Sequence, residues 1–292
     1  MVDSVVFMRI GSSVDGFTMR SLLFAPGNRP ELLAKLPRTS PSAAVIDLED
    51  AVPPDGKAES RAIACEVAST LIAEVRLFIR VNAVDSAYFI DDIRKGLPGG
   101  LSGVIIPKLE SAKVVDQVID LLEENGHDDL PIVAGLETVA GVVDAREVTS
   151  HPRVRWCYFG AEDYVADLGG TRTLCNREVA MARAQIGQAA RLGGAQAIDM
   201  VVTDFGNAER FRREATEARE LGFSGKLCIH PAQVPLAAEA FGVTDVELTW
   251  ARTVVETYEE ALERGQAAIQ VDGAMVDEAV ARRARALLNR VD

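Results

Sequence analysis

Positive charge is scarce in this chain. Lys and Arg number 31 against 44 Asp and Glu, a formal net charge of −13 over 292 residues. Nucleic acid and anionic membrane both require a net basic face, so the balance argues against either as a partner. It leaves room for an anionic small molecule, because local charge governs a pocket. No apolar run approaches the roughly 18 residues of a membrane span. The first 19 residues lack both a basic start and a continuous apolar stretch, so they do not read as a secretory signal. Cysteines are few: Cys65, Cys157, Cys175 and Cys228 show no paired spacing. Three sit in apolar runs or helical stretches, where buried, inert thiols are expected rather than disulfides or zinc ligands, with a reducing, cytoplasmic setting as the default. Of three histidines, only His230 sits at the end of a strand-like run (LCIHP), where a structural role competes with a catalytic one. No serine or cysteine triad order, GxGxxG or P-loop occurs, which weakens hydride transfer and nucleotide hydrolysis.

What the chain does have is a recurrent pattern. Residues 45–50 read VIDLED, 77–82 LFIRVN, 103–108 GVIIPK, 132–137 IVAGLE and 157–163 CYFGAED. Each is a short Val- and Ile-rich run followed at once by charge, the signature of a buried parallel strand ending in a polar group. Strands are expected near 20–25, 43–48, 76–81, 102–107, 131–136, 154–160, 196–202 and 225–229. Helices are expected at 30–36, 57–74, 86–95, 111–125, 140–149, 176–192, 207–221 and 232–240, most firmly at 176–192 and 207–221. Eight such units predict an α/β fold, a (β/α)8 TIM barrel with its site on one face. A doubly wound open sheet is the alternative. The expected organisation is an N-terminal extension (1–19), a barrel domain (20–243) and a small C-terminal helical appendage (244–292). The last comprises a helix at 245–264, a strand-like 268–273 and a helix at 277–290. Its apolar content predicts that it packs on the barrel or on a neighbouring subunit.

Glu137 and Asp163 each follow an apolar run, so a barrel brings both carboxylates to the same face. Two carboxylates with open positions suit Mg²⁺, which prefers oxygen ligands. Helix capping is the alternative for both. Arg80 lies in an apolar strand and needs a carboxylate or an anionic ligand. Asp47, Glu49 and Asp50 cluster after the second strand. They would repel one another unless a cation or arginine sits among them, and could support a metal from behind its ligands.

Nine strings in order extend this pattern: RSLLFAPGNRPELLAK (20–35), AAVIDLEDAVPPDGKAESR (43–61), RVN (80–82), IPKLES (106–111), GLETVAGV (135–142), GAEDYVADLG (160–169), AID (197–199), GKLCIHPAQV (225–234) and DGAMVDEAV (272–280). Together, from Arg20 to about residue 288, they resemble the citrate lyase beta-subunit-like branch of the HpcH/HpaI aldolase superfamily. The resemblance implies a Mg²⁺-dependent lyase, with Mn²⁺ as a substitute ion, acting on the carbon–carbon bond of a 3-hydroxyacyl-CoA thioester. Some relatives are thioesterases. It implies Glu137 and Asp163 as metal ligands and Arg80 as the contact to keto-acid and thioester oxygens. The backbone amides of a GAED turn, from Ala161 through Glu162 to Asp163, would hold the substrate carboxylate. Phe24, Arg29 and Lys35 would contact CoA. Asp277 would be the proton-transfer acid delivered to a neighbouring subunit, in a homotrimer. A proline close behind that acid in many relatives is replaced here by Glu278 and Ala279. An acyl carrier protein in place of CoA is the other thioester carrier the resemblance allows.

Overall fold

The computed structural model describes residues 17–290. Of the N-terminal extension expected at 1–19, residues 1–16 therefore lie outside the described part. Clustering of contacts divides the described chain into two compact units, one spanning Thr18–Phe241 and one beginning at Gly242.

Eight parallel strands form the first unit: β1 (Ser21–Pro26), β2 (Ala43–Asp47), β3 (Leu77–Arg80), β4 (Gly103–Ile106), β5 (Ile132–Leu136), β6 (Val154–Phe159), β7 (Gln196–Asp199) and β8 (Gly225–Cys228). Each pairs with the next, and β1 pairs with β8, so the sheet closes into a barrel. The open-sheet alternative is thereby excluded. The strand runs are short and β-branched, and alternate residues point in opposite directions. Leu23, Ala44, Ile46, Ile79, Val104 and Ala134 join the cluster that contains helix residues such as Ala64, Ala68, Val115 and Ala215. That set is the outer face. The complementary set points inward: Phe78 on β3 and Trp156 on β6, strands that are not neighbours, meet edge to face at 5.6 Å.

Between the strands run α1 (Pro30–Leu33), α2 (Lys57–Leu71), α3 (Phe89–Gly96), α4 (Ala112–Glu124), α5 (Val139–Val143), α6 (Ala145–Thr149), α7 (Ala161–Leu168), α8 (Ala180–Gly193), α9 (Ala208–Glu220) and α10 (Gln233–Phe241). Three differ from the sequence expectation. The 30–36 helix is cut to one turn followed by a 3₁₀ segment at Leu36–Thr39, because Pro37 has no N–H to continue the ladder. The single helix expected at 140–149 is two short ones meeting at Asp144. The GAED segment is the first turn of a helix rather than a free turn, with Gly160 as its N-cap and Gly169 ending it at φ 70°.

Polar groups also enter the layer between strands and helices. Asp199 of β7 receives both Nε and Nη2 of Arg183 on α8 at 2.9 and 3.0 Å and Lys226 Nζ of β8 at 2.5 Å. Lys226 and Asp199 are wholly buried. A buried charge is tolerated only when paired in this way.

The second unit contains α11 (Asp245–Glu263), a hairpin of β9 (Ile269–Val271) and β10 (Ala274–Val276), and α12 (Glu278–Leu288). A capping box of Thr244 and Glu247 opens α11. The expected single strand at 268–273 is thus half of a hairpin, turned by Asp272 and Gly273 at φ 48° and 80°. An Asp-Gly pair with both φ positive matches the twist that two-residue hairpins require. Ala251, Val254, Tyr258, Val271, Val276, Ala281 and Ala284 form a buried cluster of this unit's own. Alanines at helical spacing let α11 and α12 approach closely. Among the described residues no helix is long and apolar enough to cross a membrane.

Candidate functional site

The inward-facing positions of β2, β3 and β6 continue to their C-terminal ends as Asp47, Arg80 and Tyr158, while Glu137 lies one residue past β5. Asp47 and Arg80 are register partners on adjacent strands. Arg80 donates from Nε to Asp47 Oδ1 and from Nη2 to Asp47 Oδ2, both at 2.7 Å. Its Nη1 lies 2.9 Å from Glu49 Oε2 and 3.5 Å from Asp50 Oδ2. Its guanidinium faces the Phe24 ring at 5.2 Å. Its principal ion-pair partner is therefore Asp47, with Glu49 and Asp50 as further contacts. Asp47 also accepts the amides of Glu49 and Ala51 at 2.9 and 3.2 Å. Burial works against its charge, but Arg80 and these amides outweigh it and hold the carboxyl below the usual range. The acidic loop is further braced by Lys57 Nζ, which donates to the carbonyls of Leu48 and Glu49 at 2.8 and 2.7 Å.

Lys108, which follows β4, is the second cation among the acids. Its Nζ lies 2.7 Å from Glu49 Oε1, 3.5 Å from Asp163 Oδ1 and 4.0 Å from Asp50 Oδ1. Burial alone would lower its pKa; Glu49 reverses that and raises it above the ordinary lysine value. Two cations thus face five carboxyls: Asp47, Glu49, Asp50, Glu137 and Asp163.

Glu137 is buried, and Tyr158 donates a short hydrogen bond to its Oε1. Burial pushes its carboxyl up to about 8; Arg80 opposes the shift, Glu49 and Asp163 add to it, and the Tyr158 bond opposes it. Two glycines make room for this side chain. A Cβ at Gly135 would come within 2.6 Å of Glu137 Oε1, and one at Gly160 would collide with Oε2 and Cγ. Neither carboxylate acts as a cap. Thr138 caps α5, accepting from the Gly141 amide, and α7 has no side-chain cap. A cavity of about 350 Å³ opens over Phe24, Asp47, Asp50, Arg80, Tyr158 and Leu227. Glu137 lies behind the lining, bonded to the Tyr158 hydroxyl.

The other sequence candidates are distributed differently. Arg29 and Lys35 are exposed after β1, and Arg29 Nε lies 2.5 Å from Glu31. Ala161, Glu162 and Asp163 form the first turn of α7. Glu162 also pairs with Arg172 at 3.0 Å. His230 stacks on Phe205 with ring centroids 4.8 Å apart, and its Nδ1 accepts the Ala232 amide, a structural arrangement. Asp277, in the second unit, is the N-cap of α12, with Oδ1 accepting the Val280 amide at 3.1 Å. Lys108 and Tyr158 were not singled out from the sequence. Lys108 was visible there only as the charge ending GVIIPK, and Tyr158 only as one ring within an apolar run.

A buried carboxylate with space reserved around it, an acidic helix start and an arginine-centred acid cluster define a barrel protein with a cation- and anion-handling rim. Similarity resolves the class. The model of the HpcH/HpaI aldolase/citrate lyase family matches residues 20–231, and the chain belongs to that family. It is 51% identical over 276 residues to the citrate lyase subunit beta-like protein of Deinococcus radiodurans, covering 93% of this chain and 96% of that one. It is 31% identical over 259 residues to a (3S)-malyl-CoA thioesterase of Cereibacter sphaeroides, covering 88% and 89%. Among solved structures, CitE of Mycobacterium tuberculosis in complex with magnesium, acetoacetate and coenzyme A aligns with a TM-score of 0.76. The identity is 31%, over 94% of this chain and 98% of that one.

The residues fit a hard divalent ion. Among the described residues no group of three or more His, Cys, Asp or Glu is arranged as a closed metal cage. Mg²⁺ does not need one: it keeps waters and binds through one or two carboxylates. Glu137, in its glycine-lined recess, and the partly exposed Asp163 are the two carboxylates that would hold it.

Proposed function

We propose that this chain is a Mg²⁺-dependent carbon–carbon lyase. In this reading it cleaves or forms a 3-hydroxyacyl-CoA thioester of the citramalyl, malyl or citryl type, giving acetyl-CoA and a 2-keto acid. The observation that carries it is Glu137, a carboxylate kept buried beside Tyr158 and within electrostatic reach of Asp163 and Arg80. Glu137 and Asp163 hold the ion, with Mn²⁺ able to substitute. The Ala161–Asp163 amides bind the substrate carboxylate, and Phe24, Arg29 and Lys35 contact the CoA portion. Asp47, Glu49 and Asp50 fix Arg80 from behind.

The chemistry needs these types. Cleavage removes the hydroxyl proton, turns the carbinol into a carbonyl and leaves the bonding electrons on the thioester enolate. Mg²⁺, when bound, supplies Lewis acidity toward the hydroxyl and fixes the acid moiety. Arg80 stabilises negative charge on oxygen, the larger electrostatic share of catalysis. Asp277, delivered from a neighbouring subunit of a homotrimer, protonates the enolate carbon or removes that proton in the condensing direction. Asp277→Asn is expected to lower kcat by about 10²–10⁴-fold. Asn caps a helix as well as Asp does, so the melting temperature should stay at the wild-type value. Near-normal turnover would remove Asp277 from the mechanism.

The reading is tested by mass spectrometry of products from malyl-CoA and racemic citramalyl-CoA, with Mg²⁺ and with EDTA. Metal-dependent acetyl-CoA with glyoxylate or pyruvate is the expected result. The resemblance to a (3S)-malyl-CoA thioesterase favours one other outcome, free CoA with malate or citramalate, which would make the protein a hydrolase on the same scaffold. Turnover of neither substrate would direct the search to a thioester carried by an acyl carrier protein.

A further inference from the structure

Lys108 has no part in the reaction described above, yet its backbone and side chain are both unusual. Its φ is 53°, the left-handed region that a lysine enters at a cost. Pro107 before it and the Leu109 amide, bonded to the Gly135 carbonyl at 2.9 Å, hold that conformation. The turn aims the side chain across the rim rather than into solvent. There its ammonium lies between Glu49 Oε1 at 2.7 Å and Asp163 Oδ1 at 3.5 Å, with Asp50 Oδ1 at 4.0 Å. The side chain is 29% exposed, so the ammonium stands at the edge of solvent. Glycine would relieve the backbone, but would leave Glu49 with Arg80 alone and Asp163 with no cation partner among those recorded for it.

We propose that Lys108 is a positioning residue that competes with the divalent ion for Asp163, so that the ion is held firmly only together with an anionic acid. This rests on the assignment of Glu137 and Asp163 as the ion's ligands. A divalent ion on Asp163 would sit within a few ångströms of the ammonium, and like charges at that range repel appreciably even beside solvent. The same ammonium attracts the carboxylate of an incoming 2-keto acid. Repulsion toward one ligand and attraction toward the other make their bindings mutually dependent. Lys108 also keeps Glu49 neutralised, and so prevents it from becoming an additional ligand that would trap the ion without substrate.

The test is Mn²⁺ affinity, read from the electron paramagnetic resonance signal of free Mn²⁺, with and without saturating pyruvate. It compares wild type, Lys108→Gln, Lys108→Arg and Glu137→Gln. Lys108→Gln is expected to bind Mn²⁺ about tenfold more tightly without pyruvate, as removal of one nearby like charge implies. The additional tightening produced by pyruvate should shrink in that variant. Lys108→Arg, which retains the charge, should behave as wild type and guards against an effect of misfolding. Unchanged or weaker Mn²⁺ binding by Lys108→Gln overturns the inference while leaving the lyase reading intact. Wild-type Mn²⁺ binding by Glu137→Gln overturns the ligand assignment, and with it both proposals.

Discussion

Arg80→Met is expected to lower the unfolding free energy by about 3–5 kcal/mol, the range for stripping the partner from a buried charge. It is also expected to reduce kcat/KM by at least about 10²–10³-fold, as loss of one donor to developing oxyanion charge does elsewhere. Both effects follow from one geometry. Asp47 is almost wholly buried, and two of its four hydrogen bonds come from this guanidinium. Without it, Asp47, Glu49 and Asp50 repel one another across a rim where Lys108 and the backbone-bound Lys57 are left to offset them. Arg80→Lys should be intermediate in stability but nearly as impaired in catalysis, because an ammonium cannot span Asp47 as a planar fork does. Guanidinium unfolding at pH 7 and steady-state kinetics measure the two terms. Adding Asp47→Asn to Arg80→Met should recover part of the lost stability, since the orphaned charge is then gone. An Arg80→Met protein as stable as wild type would mean that the acid cluster is not organised by this residue.

Glu137→Gln is expected to abolish the Mg²⁺ response and to change the pH dependence of stability. The folded-state pKa of Glu137 lies near 8, above the ordinary value of 4.5. Between those values the folded protein binds more protons than the unfolded chain, so in EDTA its stability falls as pH rises from 4.5 through 8. The proton keeps a buried carboxyl neutral, and its loss leaves a charge facing Glu49 and Asp163. Glutamine never charges, so this part of the slope should vanish. The variant should exceed metal-free wild type by about 2–3 kcal/mol at pH 8, less than the full shift at about 1.4 kcal/mol per unit would give. Added Mg²⁺ should restore wild type at pH 8 through preferential binding to the folded state, and leave Glu137→Gln unmoved. Thermal melts from pH 5 to 8, with EDTA and with Mg²⁺, make the comparison. A flat wild-type profile in EDTA would contradict the buried-acid account.

The strands were legible because their periodicity and terminal charges are local features: β2, β3 and β5 end within the runs VIDLED, LFIRVN and IVAGLE. Boundaries failed where a single residue decided them, as at Pro37, or where a segment changed conformation within a helical composition, as at Asp144. The turn at the start of α7 was implied by the resemblance, and Gly160 followed by two acids suits a loop and an acidic first helical turn alike. Asp47, Arg80, Glu137 and Asp163 could be named from the charge at strand ends. Their partners could not. The Asp47–Arg80 pairing depends on register between strands, and Lys108 on a left-handed turn that a lysine does not announce. Motif strings also mixed purposes. Asp199 of AID and Lys226 of GKLC belong to the same resemblance as Glu137, yet they face the helices and brace α8 and α9 rather than the rim.

Closure of the barrel has a consequence for how the chain comes into being. Ser21 pairs with Lys226, about 200 residues later. A growing chain therefore carries two unsatisfied parallel edges, at β1 and at β7, until its eighth strand has emerged. Such edges are sticky, and contacts of this sequence separation form slowly. Asp47, Arg80, Lys108, Glu137 and Asp163 lie at or just after the ends of five successive strands, β2 to β6, so the rim charges are all present before the barrel can close. Synthesis of Gly225–Cys228 is thus the step that closes the barrel beneath a set of rim charges whose members have all been made already. Interruption before it should yield aggregate rather than a weakened enzyme.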